Sequence, residues 1–252
     1  MQKKVNLSDF KDLNKAELIE LVKNEAGESD SQSLLVVANR IFDIPEISCI
    51  IEIKADEDVT EYVKKWTKKF SQGFLNRPSQ KTGNQMGTKH DAILDEIISA
   101  RIGSTTEDLK AIKYAHRLSM SAENITGLLL EEYMADKLID YNWHCCWGAT
   151  MNKIDFCNEN GRLLQIKNSS NTENSSSKTV REGTVIEHWF RRLAKKGTTN
   201  WDALNDLINI TKESDKLSED SFMFFVRNTV SNNPGLLFIE SDNPWYATNT
   251  DD

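Results

Sequence analysis

The sequence predicts an α/β protein whose N-terminal region is mostly helical. Apolar residues recur at helical spacing through most of the first 140 residues. Near Asn142 the pattern changes to short runs rich in aromatic and β-branched residues. Within that second part Asn160-Gly161 separates two apolar runs, the mark of a tight hairpin. A chain of 252 residues suffices for one domain or two unequal ones. The change of pattern divides it into a helical region, 1–118, and a mixed region, 119–252.

The elements follow in order. Asn14 caps a helix over Lys15–Ala26, with Glu17 three residues on and Gly27 as the stop. Ser31–Phe42 is a second helix, ended by Pro45. Asp58–Phe70 is a third, with Tyr62, Val63, Trp66 and Phe70 on one stripe. Gly73, Pro78, Gly83 and Gly87 make Gln72–Gly87 a loop. His90–Arg101 is a helix closed by Gly103, and Glu107–Leu118 and Glu123–Asp140 are two more. Asn142–Gly148 reads as a buried strand. Lys153–Asn158 and Arg162–Asn168 are the arms of the hairpin. Asn168–Ser177 is a loop of Asn, Ser and Thr. Thr184–Ala194 and Trp201–Ile210 are expected to be helical. Phe222–Val230 and Leu236–Glu240 are expected as late strands.

A hydrophobic fraction of 38% with 28% charged residues fits a globular chain. No apolar run approaches the roughly 18 residues of a membrane helix, and MQKKVNLSDF lacks the apolar core of a secretory signal. Cys49, Cys145, Cys146 and Cys157 form no disulfide framework, so a cytoplasmic location is expected. The net charge of −8 excludes a chain coated all over by nucleic acid. Basic residues are nevertheless local. Seven, with no acid among them, lie between Lys64 and Lys89, and six lie between Lys178 and Lys196. That asymmetry fits one anion-binding face, although either run alone would serve as a solvated surface.

The hairpin carries the chemistry. Asp155 stands on its first arm, and Gln165 and Lys167 share one face of the second, with Ile166 turned to the core. An acid, a second oxygen and a lysine on facing strands suit phosphodiester hydrolysis. A hard divalent cation such as Mg²⁺ acidifies water and clamps phosphate oxygens, and an ammonium group offsets the developing charge. Other chemistries are less well served. His144 and the cysteines lack zinc-ligand spacing. His188 could act as a base but equally as a packing residue, and His90 and His116 have no visible partners.

Ile154-Asp155, nine residues, then Gln165-Ile166-Lys167 resembles the PD-(D/E)XK nuclease signature. The resemblance implies a restriction-endonuclease-like mixed central sheet flanked by helices, with the catalytic core in 119–252. Residues 1–118 would then clamp DNA or dimerise. Ile154 replaces the proline, and Gln165 replaces the second acid, which leaves the site one charge short. Gly127–Leu138 resembles the superfamily's first helix, which supplies a further acid. Glu131 has Gly127, Leu128, Met134, Ala135 and Leu138 as helical neighbours, and a carboxylate there needs a partner or a metal. Glu132, on the wetter stripe with Asp136, is the alternative. The implied Mg²⁺ ligands are Asp155, Glu131 and Gln165, with Lys167 completing the catalytic set.

Trp143–Gly148, Ile154–Lys167, Asn171–Ser177, Arg181–Thr184 and Thr199–Asn205 are together similar to the SinI-type group of type II restriction endonucleases, over about residues 120–210. That resemblance implies double-strand cleavage at a short GC-rich palindrome, such as a GGWCC-like site. It also implies a homodimer and a cognate DNA methyltransferase as genetic partner. Asn168, Ser169, Asn171, Asn174 and Ser176 are candidate DNA-binding residues because such side chains bond base edges and phosphates. Lys178, Arg181, Arg191 and Arg192 are candidate phosphate or guanine contacts, the last two on the expected helix. A junction or repair nuclease of the same superfamily is the nearest rival. A non-catalytic DNA-binding module is another, favoured by Gln165.

Overall fold

The computed structural model describes residues 1–26, 31–84, 90–170 and 186–246. In chain order these form β1 (Gln2–Val5), α1 (Lys15–Glu25), α2 (Ser31–Asp43), β2 (Ile51–Lys54), α3 (Val59–Leu75), α4 (Ala92–Ile102) and α5 (Thr106–Leu138). There follow β3 (Trp143–Cys145), β4 (Phe156–Asn158), β5 (Leu163–Ser169), β6 (Ile186–Leu193), β7 (Thr198–Thr199), α6 (Trp201–Ile208) and α7 (Glu219–Asn232). Two compact units result, each made of two chain segments. One contains Met1–Arg77 and Leu130–Phe225, the other Pro78–Leu129 and Val226–Asp252.

The first unit holds a five-stranded sheet in the order β3-β4-β5-β6-β7. It is mixed: β5 and β6 run parallel, and every other neighbouring pair is antiparallel. A separate antiparallel pair joins β1 to β2. Neither strand was expected, because four residues are too few to show a period. Only Ile51 and Ile53 alternate clearly with exposed Glu52 and Lys54.

Local signals set most helix starts. Asn14 Oδ1 accepts from the Glu17 amide, and Asp58 Oδ1 from the Thr60 amide. Four expectations need correction. First, α3 does not stop at Phe70 but runs through Gly73 to Leu75. Gly73 is there for close approach, since a Cβ on it would lie 2.1 Å from the Gly148 nitrogen. Second, α5 is one helix of 33 residues, unbroken at Leu118. The serines between its halves cost only a few tenths of a kcal/mol each in a helix, too little to stop it.

Third, Thr184–Ala194 is not helical: residues 186–193 are β6, zipped to β5, and 171–185 lie outside the described residues. Fourth, Phe222–Val230 belongs to helix α7, and Leu236–Glu240 contains no strand. The start of α7 is fixed by reciprocal bonds between Ser218 and Ser221, which a reading of the apolar run alone overlooks.

The core of the first unit lies on both sides of its sheet. Trp66 Nε1 donates to the Thr150 carbonyl, and the Tyr62 hydroxyl to that of Cys49, tying α3 to the turns beside the sheet. On the other side Trp189 meets Trp201 at 5.0 Å between ring centroids, and Tyr133 of α5 meets Trp201, Phe222 and Phe225 at 5.3–5.9 Å. Replacing Gly73 with alanine should cost about 1–3 kcal/mol through overpacking against Gly148. Urea unfolding of Gly73→Ala checks this, and an unchanged midpoint would show that the α3 contact is loose.

Candidate active site

The hairpin is built by its turn. Gly161 takes φ 91°, a region that favours glycine, and its amide donates to the Asn158 carbonyl. The Asn158 side chain accepts from the Arg162 amide, closing the turn from inside. The register that follows sets Phe156 opposite Leu164 and Cys157 opposite Leu163. Asp155 lies just before β4, and its carboxylate meets β5 at the Ile166 amide, within electrostatic reach of Lys167. Gln165 and Lys167 share one face of β5.

Asp155 is stitched in on both sides. Its amide donates to the Leu164 carbonyl at 3.0 Å, and its carbonyl accepts from the Cys146 amide at 2.8 Å. The carboxylate Oδ2 accepts from the Ile166 amide at 2.8 Å. Burial pushes the Asp155 carboxyl up to about 6, and the Ile166 amide and the Lys167 charge pull it part of the way back. Beside it, the side-chain oxygen of Gln165 is buried and has no hydrogen-bond partner among the described residues. A buried amide oxygen with nothing to accept costs about 1–3 kcal/mol. A half-buried carboxylate and an orphaned carbonyl oxygen on the adjoining strand are donor types that a hard cation prefers. The residues present therefore fit Mg²⁺. Among the described residues no three His, Cys, Asp or Glu side chains cluster.

The parallel neighbour β6 extends this face. His188 pairs with Gln165, Phe190 with Lys167 and Arg192 with Ser169. In-register parallel residues share a side, which places exposed His188 and Arg192 on the same face as Gln165 and Lys167. The sequence reading missed that adjacency because it took the segment for a helix. The enrichment in Ile, Trp and Phe from Ile186 to Phe190 was the strand signal available.

Arg191 points the other way. It is 8% exposed, its guanidinium pairs with Glu219 and donates to the Asn168 side chain, and Glu219 also accepts from Trp201 Nε1. The expected helix with Arg191 at its surface is thus corrected: β alternation sends Arg191 inward and Arg192 outward. Asn168 is half-buried and occupied by Arg191, and Ser169 is half-buried on β5. Asn171, Asn174, Ser176, Lys178 and Arg181 lie outside the described residues.

On α5, Glu131 is half-buried, while Glu132 is buried and its Oε1 lies 3.3 Å from Arg77 Nε. The wetter setting expected for Glu132 is therefore corrected, since Arg77 of the α3 end covers it. The four cysteines are buried free thiols, and Ser33 Oγ lies 3.2 Å from His144 Nδ1.

A mixed sheet flanked by helices, with an acid, an amide and a lysine gathered on facing strands, defines a restriction-endonuclease-like α/β protein. The model of the SinI restriction endonuclease family matches residues 21–232, and the chain belongs to that family. The type II restriction enzyme Eco47I of Escherichia coli is 40% identical over 146 residues, 56% of this chain and 62% of that protein. The type II restriction enzyme SinI of Salmonella infantis is 33% identical over 183 residues, 70% of this chain and 76% of that protein. The chain thus spans less than two thirds of the first relative and about three quarters of the second.

The raised Asp155 carboxyl has a consequence for stability without metal. The folded chain holds this proton more tightly than the unfolded one, so its contribution is present at low pH. That contribution is lost as pH rises from about 4 to about 6, a difference of about 3 kcal/mol. Asp155→Asn removes it. In EDTA, the stability of the variant relative to wild type should improve by about that amount between pH 4 and 7. Paired urea titrations at the two pH values check this, and an unchanged difference would mean that Asp155 is well solvated.

Proposed function

We propose that this chain is a Mg²⁺-dependent type II restriction endonuclease. Membership of the SinI family supports the class. The observation that carries the site is the unpartnered Gln165 oxygen on the strand whose Ile166 amide holds the Asp155 carboxylate. Asp155, Gln165 and Glu131, with Glu132 as the alternative, would hold the ion. When bound, Mg²⁺ supplies an acidified water and a clamp on phosphate oxygens. Lys167 orients the attacking water by donating an N–H to its oxygen and offsets charge on the phosphorane-like transition state. The water releases a proton to solvent as its oxygen bonds to phosphorus, and the bridging oxygen of the sugar leaves with the bonding electrons and takes up a proton from solvent. Ile166 keeps the Asp155 carboxylate aimed through its amide.

The substrate of this reading is duplex DNA carrying a short GC-rich palindrome, GGWCC-like, cut on both strands by a homodimer. Ser169, Asn171, Asn174, Ser176, Lys178, Arg181 and Arg192 are the proposed DNA contacts. A cognate methyltransferase would protect host DNA, in a cytoplasm that keeps the four thiols reduced. No helix among the described residues is long and apolar enough to cross a membrane.

Digestion of unmethylated phage DNA with Mg²⁺ or with EDTA tests this. Discrete fragments are expected only with the metal. Smears would indicate a nuclease without sequence preference, and preference for branched DNA a junction nuclease. Site-specific binding without any cutting would indicate a DNA-binding module. Asp155→Ala and Lys167→Ala should each lower cleavage at least about 100-fold while keeping the gel shift on cognate duplex. Mg²⁺ should raise the melting temperature of wild type but not of Asp155→Ala. Full cleavage by both variants would remove the site assignment.

A further inference from the structure

Strand β6 sorts its side chains by alternation. Glu187, Trp189 and Arg191 take one side, and His188, Phe190 and Arg192 take the other. Charges on the first side are neutralised in place, Glu187 by Arg162 at 2.7 Å and Arg191 by Glu219. The second side is different. In register with Gln165, Lys167 and Ser169 of β5, it makes a face of six residues, none of them acidic. In a chain of net charge −8 such a face is a local electropositive strip. His188 and Arg192 are both exposed on it. Neither side chain has a hydrogen-bond or ion-pair partner among the described residues. Two other histidines are held in place, His90 by Asp95 at 2.9 Å and His144 by Ser33 at 3.2 Å. The fold thus gains little from the His188 imidazole, which stands directly beside Gln165.

We propose that His188 donates a hydrogen bond to a non-bridging oxygen of the phosphate being cut, while Arg192 holds another phosphate of the same DNA strand. This role rests on the nuclease reading above and adds a substrate contact to it. Neighbouring strands lie about 4.8 Å apart, so His188 stands one strand spacing from Gln165. Lys167 is two residues from Gln165, about 7 Å along β5. A phosphate drawn in between Gln165 and Lys167 therefore lies within side-chain reach of His188. Arg192 is four residues on, about 13 Å further along β6, too far to share that phosphate. Phe190 between them is half-buried and offers no competing polar group. An imidazole carries an N–H whether or not it is protonated, so it can donate to an anionic oxygen in either state. Negative charge on those oxygens grows as the water attacks, and a bond to a charged acceptor is stronger than one to a neutral acceptor. The contact therefore acts on the rate of cutting more than on affinity. It touches backbone only, so it leaves the choice of site alone.

The test uses the full chain and a fluorescent duplex copied from a mapped cut in unmethylated phage DNA. At saturating enzyme with Mg²⁺, His188→Ala should cut about 10–100-fold more slowly than wild type. The cut position should stay the same, and affinity should change by less than about threefold. His188→Gln keeps an N–H at similar reach and should recover most of the rate. Arg192→Ala should instead weaken binding in EDTA and lower the slope of log affinity against log salt by about one. Also in EDTA, adding the duplex should shift the His188 ring signals in the proton–nitrogen NMR spectrum, and their loss in His188→Gln assigns them. A wild type that cuts no DNA overturns the nuclease reading and the His188 role together. A wild type that cuts while His188→Ala cuts equally fast overturns the His188 role alone, as does a His188→Gln no faster than His188→Ala. If His188→Ala fails to fold, ring signals that the duplex leaves unmoved overturn it.

Discussion

A carboxylate taken out of water must be compensated where it stands, and Asp155 is compensated only in part. One backbone amide reaches it, and one ammonium group acts on it, but burial still raises its pKa above the ordinary carboxylate range. The surrounding strands are arranged around that deficit. Cys146, just past β3, and Leu164 of β5 each bond to the Asp155 backbone, which fixes the point from which its side chain projects. Gln165 adds a second unmet oxygen on the facing strand. Two incompletely satisfied oxygens at one spot are expensive for folding and useful for holding a cation, which is a common sign of a functional site.

The rest of the first unit keeps this face rigid by filling the opposite one. Trp189, Trp201, Tyr133 and Phe222 pack under β5 and β6. Arg191 is locked there by Glu219, whose carboxylate also accepts from the Trp201 indole. Removing one partner of such a buried pair leaves an uncompensated charge, a loss of about 3–5 kcal/mol. The basic residue that the sequence offered for DNA thus serves the protein interior. Its neighbour Arg192, one position along the same strand, stands on the polar face with His188.

In the second unit the balance is reversed. Helices α4 and α5 are capped and correctly formed, but α4 has no interior of its own to enter. Helix stability in proteins comes mostly from packing an apolar face, and α4 takes its definition from its caps instead.

Local rules sufficed for much of the molecule. Caps at Asn14, Asp58 and Asp91, the left-handed Gly103 and the Asn158–Gly161 turn act within a few residues, so α1, α3, α4 and the hairpin were legible. That Gln165 and Lys167 share one face of β5 was legible for the same reason, since a period of two suffices to set it. Other features depend on residues distant in sequence. Ile186–Leu193 became a strand because β5 offered it a parallel edge, and Arg191 turned inward because Glu219 was there to meet it. Glu132 was buried by Arg77, 55 positions away in number. The pKa of Asp155 and the adjacency of His188 to Gln165 likewise exist only after the sheet has assembled. Periodicity reports which face a side chain takes; what lies across from that face is decided by long-range packing.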